Sequence, residues 1–110
     1  IRQLENQLYK EKIFTNPELS EEKLAKKLNT NRTYLSENVN QHFGKSFRSV
    51  INQLRIEEAC QLLSNKEFDH FSIEGIAISV GYRNLSSFNS TFKRETGITP
   101  SFFRKNHLTT

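Results

Sequence analysis

The chain has 110 residues, 35% of them hydrophobic and 25% charged, with a net charge of +4, which allows one compact domain or two small lobes sharing a core. The single cysteine, Cys60, excludes an internal disulfide framework and fits a reducing, cytoplasmic compartment. No apolar run approaches the ~18 residues needed to cross a bilayer and no signal peptide is visible, while an opening Ile1 in place of methionine suggests a piece of a longer protein.

Residues 2 to 14 read as a first helix, with Ile1, Leu4 and Leu8 on one stripe and no Gly or Pro inside it. Asn16-Pro17 ends it, because the residue before proline is pushed out of the α region. Ser20 then stands ahead of Glu21 and Glu22, a serine cap with acids at the positive helix end. It predicts a short helix over about 21 to 28, buried through Leu24, Ala25 and Leu28. Asn29-Thr30-Asn31 forms a turn, and Asn31 caps a second helix from about Arg32 to Phe43. Leu35, Val39 and Phe43 face inward at four-residue spacing. Thr33, Ser36, Glu37 and Asn40 share another, outer face. Gly44 stops this helix and Ser46 caps the next.

The central helix, about Phe47 to Leu63, carries two apolar stripes. Phe47, Val50, Ile51 and Leu54 share one, while Ile56, Ala59, Cys60 and Leu63 lie nearly opposite. A helix whose buried face rotates midway is expected to join two lobes. A polar connection follows and ends at Ser72 as a cap. Two further helices are predicted near 73 to 80 and 84 to 95, with Phe88 and Phe92 inward. Leu85, Ser86, Asn89, Ser90 and Lys93 form the outer stripe of the second. Thr99-Pro100 starts a last helix, expected to bury Phe102 and Phe103.

The chain repeats itself. Leu24, Ala25 and Leu28 correspond to Ile76, Ala77 and Val80 at an offset of 52, and Gly44-Lys45-Ser46 to Gly97-Ile98-Thr99 at 53. The second turn should therefore be one residue longer. The fold class predicted is all-α, about seven helices, with two helix-turn-helix subdomains (1–46 and 64–110) joined by a linker helix (47–63). Charge follows the same division. Residues 1–80 carry eleven Lys/Arg against eleven Asp/Glu, so the whole excess lies in Arg83, Lys93, Arg94, Arg104 and Lys105 against Glu95. A smaller basic zone runs from Lys23 to Arg48. Two basic zones, each at a helix-turn-helix, fit a polyanion such as DNA.

These motifs resemble the DNA-binding domain of the AraC/XylS family of bacterial transcription regulators. The matching residues include Leu24-Ala25, Tyr34-Leu35-Ser36, Phe43-Gly44, Leu54-Arg55 with Ala59, and Leu62-Leu63. In the second unit they are Ile76-Ala77, Val80-Gly81-Tyr82, Phe88, Phe92-Lys93, Gly97, Thr99-Pro100 and Phe103-Arg104. The run Asn31 to Ser36, followed by Asn40, looks most like the Bacteroidetes branch. The resemblance implies that the second helix of each unit enters the major groove of double-stranded DNA. It makes Thr33, Ser36, Glu37 and Asn40, with Leu85, Ser86, Asn89 and Ser90, the base readers, on the same faces that spacing puts outward. Asparagine can pair with adenine, and glutamate can accept from cytosine. Arg32, Lys45, Arg48, Arg83, Lys93 and Arg94 are the expected phosphate contacts. RNA polymerase and an upstream sensor or dimerisation domain are the partners it implies.

Other chemistries are weaker. His42, His70 and His107 are too scattered for a metal site, no nucleophile motif is present, and neither a cofactor nor an enzymatic activity is expected. Arg55 and Glu58 are read as internal pairing groups. The rival reading is a helical protein-interaction module that has lost DNA binding.

Overall fold

Six polar side chains at helix entrances set the architecture. Ser20 Oγ accepts from Lys23 N at 3.1 Å, Asn31 Oδ1 from Tyr34 N at 2.8 Å, and Ser46 Oγ from Ser49 N at 3.2 Å. In the second half Ser72 Oγ accepts from Gly75 N at 2.9 Å, Asn84 Oδ1 from Ser87 N at 2.8 Å and Thr99 Oγ1 from Phe102 N at 3.1 Å. Each satisfies one of the donors a helix start leaves without a partner. A computed structural model describes residues 2–107. Among them lie seven α-helices and no strand: α1 Arg2–Glu5, α2 Glu21–Lys27, α3 Arg32–Phe43, α4 Phe47–Leu63, α5 Ile73–Ser79, α6 Leu85–Thr96 and α7 Pro100–His107. Ile1, the first member of the expected Ile1, Leu4 and Leu8 stripe, lies outside the described residues.

The two halves repeat in detail. Helices α2 and α5 each have seven residues, and α3 and α6 each have twelve. Thr30 N bonds to the Ala25 carbonyl at 2.9 Å, and Tyr82 N bonds to the Ala77 carbonyl at 3.0 Å, 52 positions later. Asn29 (φ 58°) and Gly81 (φ 113°) occupy the same place in the two turns. The second turn is one residue longer, Val80 to Asn84 against Leu28 to Asn31.

Two cores result. Leu4, Leu8, Phe14, Leu24, Ala25, Leu35 and Val39 form the first with Val50 and Ile51 of α4. Ile76, Ala77, Val80, Phe88 and Phe92 form the second with Ile56, Ala59 and Leu63 of the same helix. The buried face of α4 thus rotates between Ile51 and Ile56, as its two stripes require. The molecule measures 44 × 24 × 22 Å.

Two expectations fail. The first helix is not continuous to residue 14. α1 passes into a π-helical turn, Asn6–Lys10, Lys12 turns left-handed (φ 50°), and a short 3₁₀ turn covers Ile13–Thr15. At 3.6 residues per turn, Phe14 would point well away from Leu8 on an unbroken helix. The break lets Leu4, Leu8 and Phe14 all enter the first core, with at most 4% of each exposed. A left-handed lysine costs about 1–2 kcal/mol, and the burial of Phe14 offsets it. Thr15 Oγ1 also donates to the Lys12 carbonyl at 2.9 Å. Phe102 is the second failure. It is 55% exposed, while Phe103 alone turns inward, its ring 5.7 Å from that of Phe92.

Candidate nucleic-acid interface

The second helix of each repeat is docked by a buried stripe, and this decides what it leaves outside. Leu35 and Val39 hold α3, and Phe88, Thr91 and Phe92 hold α6. Thr33, Glu37 and Asn40 are therefore exposed on α3, with Ser36 half-buried, and Ser86, Asn89 and Ser90 are exposed on α6. Leu85 is half-buried against the second core and offers only part of its side chain outward.

Between α3 and α6 runs an open groove of about 1110 Å³. Arg32 and Ser36 of α3 stand on one wall, Ser86, Ser90 and Arg94 of α6 on the other, Arg48 of α4 lies on the floor, and Arg83 lines the groove from the turn before α6. Asn89 and Lys93 line an adjoining hollow that continues past Ser90 to Thr99 and Ser101 at the start of α7. The structure does not bring every expected residue into the groove. Thr33, Glu37 and Asn40 face outward beside it. Lys45 Nζ donates to Gln53 Oε1 and lines a separate hollow with Glu57 and Glu95.

The groove's cations are only loosely held. Arg32 Nε is 3.4 Å from Glu21 Oε1, Arg94 Nε 3.5 Å from Glu95 Oε2, and Arg83 Nη2 3.5 Å from the Pro17 carbonyl. The Arg32 and Arg94 side chains are 71% and 63% exposed, and such surface pairs contribute at most about 1 kcal/mol. They can be exchanged for phosphate oxygens at little loss. Asn40 is more constrained, because its Nδ2 donates to the Ser36 carbonyl at 3.0 Å. Its second N–H and its Oδ1 remain available. Arg104, part of the C-terminal charge excess, is used internally. Nη1 donates to the Phe71 carbonyl at 2.7 Å and Nη2 to the Phe68 carbonyl at 3.0 Å, pinning α7 to the turn before α5.

Sequence reasoning missed three contributors. Ser49 and Asn52 join Arg48 on the groove floor. Their signal was a third, polar stripe on α4, Arg48, Asn52 and Arg55 at i, i+4 and i+7, beside the two apolar ones. Glu21 reads in the sequence as a helix-start acid alone, yet its side chain is just 15% exposed and its Oε2 is buried without a hydrogen-bond partner. Three aromatic side chains, Tyr9, Tyr34 and Phe102, are also more than half exposed rather than packed.

A family model described as a helix-turn-helix domain matches residues 24–106. The chain belongs to the AraC/XylS family of DNA-binding helix-turn-helix regulators. Among its relatives, the raffinose operon transcriptional regulatory protein RafR of Pediococcus pentosaceus is 37% identical over 78 residues, covering 71% of this chain and 27% of RafR. The Msm operon regulatory protein of Streptococcus mutans is 37% identical over 82 residues, covering 74% of this chain and 28% of that protein. The chain thus spans little more than a quarter of the length of these curated relatives. The solved C-terminal domain of AraT, a response regulator from Geobacillus stearothermophilus, superposes with a TM-score of 0.82 at 31% identity, over 90% of this chain and 79% of AraT's. On the groove wall, Glu21 holds the Arg32 guanidinium at 3.4 Å. Glu21→Gln is expected to tighten binding to a random-sequence duplex by about 0.5–1 kcal/mol, the size of an ion pair whose arginine stays largely in solvent. Titrations at several salt concentrations should also show a steeper salt dependence, as Arg32 becomes available to phosphate.

Proposed function

We propose that this domain binds double-stranded DNA sequence-specifically with α3 and α6 in successive major grooves, as the output domain of a bacterial transcription regulator acting in the cytoplasm. The observation that carries this reading is the single groove in which Ser36 of α3 and Ser86 and Ser90 of α6 share walls with Arg32 and Arg94. In this reading residues 1–46 and 64–110 are the two reading subdomains and 47–63 the spacer. Seventeen residues of α4 give a rod of ~25 Å, which suits reading helices about one DNA turn, ~34 Å, apart on one face.

Thr33, Ser36, Glu37 and Asn40, with Leu85, Ser86, Asn89 and Ser90, are the base readers. Arg32, Lys45, Arg48, Arg83, Lys93 and Arg94 hold phosphates. None of the eight readers is an arginine, so the bidentate grip on guanine is left to Arg32 or Arg83 at the helix entries. The relatives are operon regulators of which the matched region covers only 27% and 28%, which supports an accompanying sensor or dimerisation domain, and this reading adds RNA polymerase as a partner.

Selection of bound duplexes from a random pool, followed by titrations at several salt concentrations, tests the assignment. Asn89→Ala is expected to relax preference at one base pair by about 1–3 kcal/mol. Lys93→Ala is expected to weaken all sequences alike and to reduce the salt slope by about one. Base preference that survives replacement of all eight readers by alanine would overturn their assignment as readers. Binding that ignores salt would favour the rival protein-docking module.

A further inference from the structure

Arg55 sits on α4 between Leu54 and Ile56, where the helix changes from the first core to the second. Neither core uses its charge. Nε donates to the Phe14 carbonyl at 2.6 Å and Nη2 to the Asn16 carbonyl at 3.0 Å. The guanidinium carbon lies 5.5 Å from the centre of the Tyr82 ring. Tyr82 in turn donates its hydroxyl to Asn52 Oδ1 at 3.0 Å, one turn earlier on α4. Gly81 is pressed against the same group, since a Cβ there would lie 2.7 Å from Arg55 Nε. Three segments therefore meet on one guanidinium: the approach to α2, the linker helix, and the turn between α5 and α6. Lys12 with Glu58 (3.2 Å) and Arg83 with the Pro17 carbonyl (3.5 Å) flank the junction.

This junction has a mechanical consequence. The two cores share only α4, and a joint made of one helix would let the second unit swing about it. The contacts of residues 12–17 with Arg55, Glu58 and Arg83 close that freedom. Burial pulls the Arg55 guanidinium below its usual proton affinity, yet an arginine stays charged in proteins. Its planar fork serves two carbonyls while its face covers the tyrosine, a combination that lysine cannot reproduce.

We propose that Arg55 is a positioning residue that fixes the spacing and angle between α3 and α6, and with them the number of base pairs the domain requires between its two half-sites. This rests on the reading that both helices enter DNA. The test uses the 110-residue chain and duplexes it selects from a random pool, together with the same duplexes carrying one or two extra base pairs between half-sites. Each inserted pair moves one half-site by ~3.4 Å and rotates it by roughly a tenth of a turn. The unaltered chain is expected to lose about tenfold in affinity or more per inserted pair, the scale of a mismatch. Arg55→Lys and Arg55→Met should lose less than about threefold, while matching the parent on a single half-site. Tyr82→Phe, which keeps the ring and removes one hydroxyl, should shift in the same direction and stands in if the Arg55 variants do not fold.

An undiminished spacing penalty in the variants overturns the proposal. So does uniform weakening at every spacing with a salt slope lowered by about one, which would mark Arg55 as a direct phosphate contact. If the unaltered chain selects no two-part site, the reading of both helices as DNA readers fails, and the spacing role falls with it.

Discussion

Phe92→Ala is expected to lower the unfolding free energy by about 3–5 kcal/mol, the range for emptying a buried aromatic site. Phe92 is fully buried. Its ring centre is 5.5 Å from that of Phe88 and 5.7 Å from that of Phe103, distances at which aromatic pairs add attraction beyond area burial. The site collapses poorly, because its surroundings include Leu63, Ile76, Ala77 and Phe88, themselves fully buried on different helices. The same residue docks both α6 and α7, so its loss frees the second reading helix. A small domain has only about 5–15 kcal/mol in total, which makes this change a large share of it. Urea unfolding followed by circular dichroism should show a lower midpoint. It should also show a broadened or split transition, because the first core around Leu35 and Val39 does not contact Phe92. Phe102→Ala is the control. Its exposed ring should change stability by no more than about 0.5 kcal/mol, and a loss equal to that of Phe92→Ala would refute the packing described for α7.

The elements legible in the sequence are those fixed by local chemistry. Ser20, Asn31, Ser46 and Ser72 announce helix starts because their side chains bond to backbone three residues on, an interaction that needs no distant partner. Gly44 and Gly97 announce stops for an equally local reason, and their near-identical spacing from Ala25 and Ala77 exposes the repeat. The outward faces of α3 and α6 follow from periodicity once the inward stripes are known. What stayed hidden depends on partners far along the chain. The break at Lys12 exists because Phe14 must reach a core built with Leu35 and Val50, and no Gly or Pro marks it. Arg104 counts in sequence as part of the C-terminal charge excess and Arg55 as an internal pairing group, but the carbonyls they grip, more than thirty residues away, are not marked there. The Lys45 ammonium turns along α4 to Gln53, a contact that its place beside a glycine stop does not announce. Leu85 is outward by periodicity, but the second core claims part of it. The groove floor is hidden for a related reason: two apolar stripes on α4 mask the polar one between them.

Gly81→Ala is expected to cost about 3 kcal/mol or more, and two separate effects add to reach that figure. At φ 113° the backbone is in a region that residues with a Cβ avoid, a strain of order 1–3 kcal/mol. The added methyl would also stand 2.5 Å from the Phe14 carbonyl oxygen and 2.7 Å from Arg55 Nε. The carbonyl is backbone held by Arg55, so relief requires the junction itself to open. Gly44→Ala and Gly97→Ala separate the two effects. Both glycines have positive φ, but a Cβ there meets nothing within 4 Å, so strain alone of about 1–2 kcal/mol is expected. The equivalent position in the first repeat, Asn29 at φ 58°, already accepts a side chain, because asparagine tolerates the left-handed region and no arginine crowds it. Urea midpoints for the three alanine variants should therefore rank Gly81 well below the other two. Equal losses at all three would mean that the close approach to Phe14 and Arg55 contributes nothing to stability. If the ranking holds, Gly81→Ala molecules that remain folded should also tolerate an inserted base pair between half-sites. The methyl group would have displaced the guanidinium that sets the distance between the two reading helices.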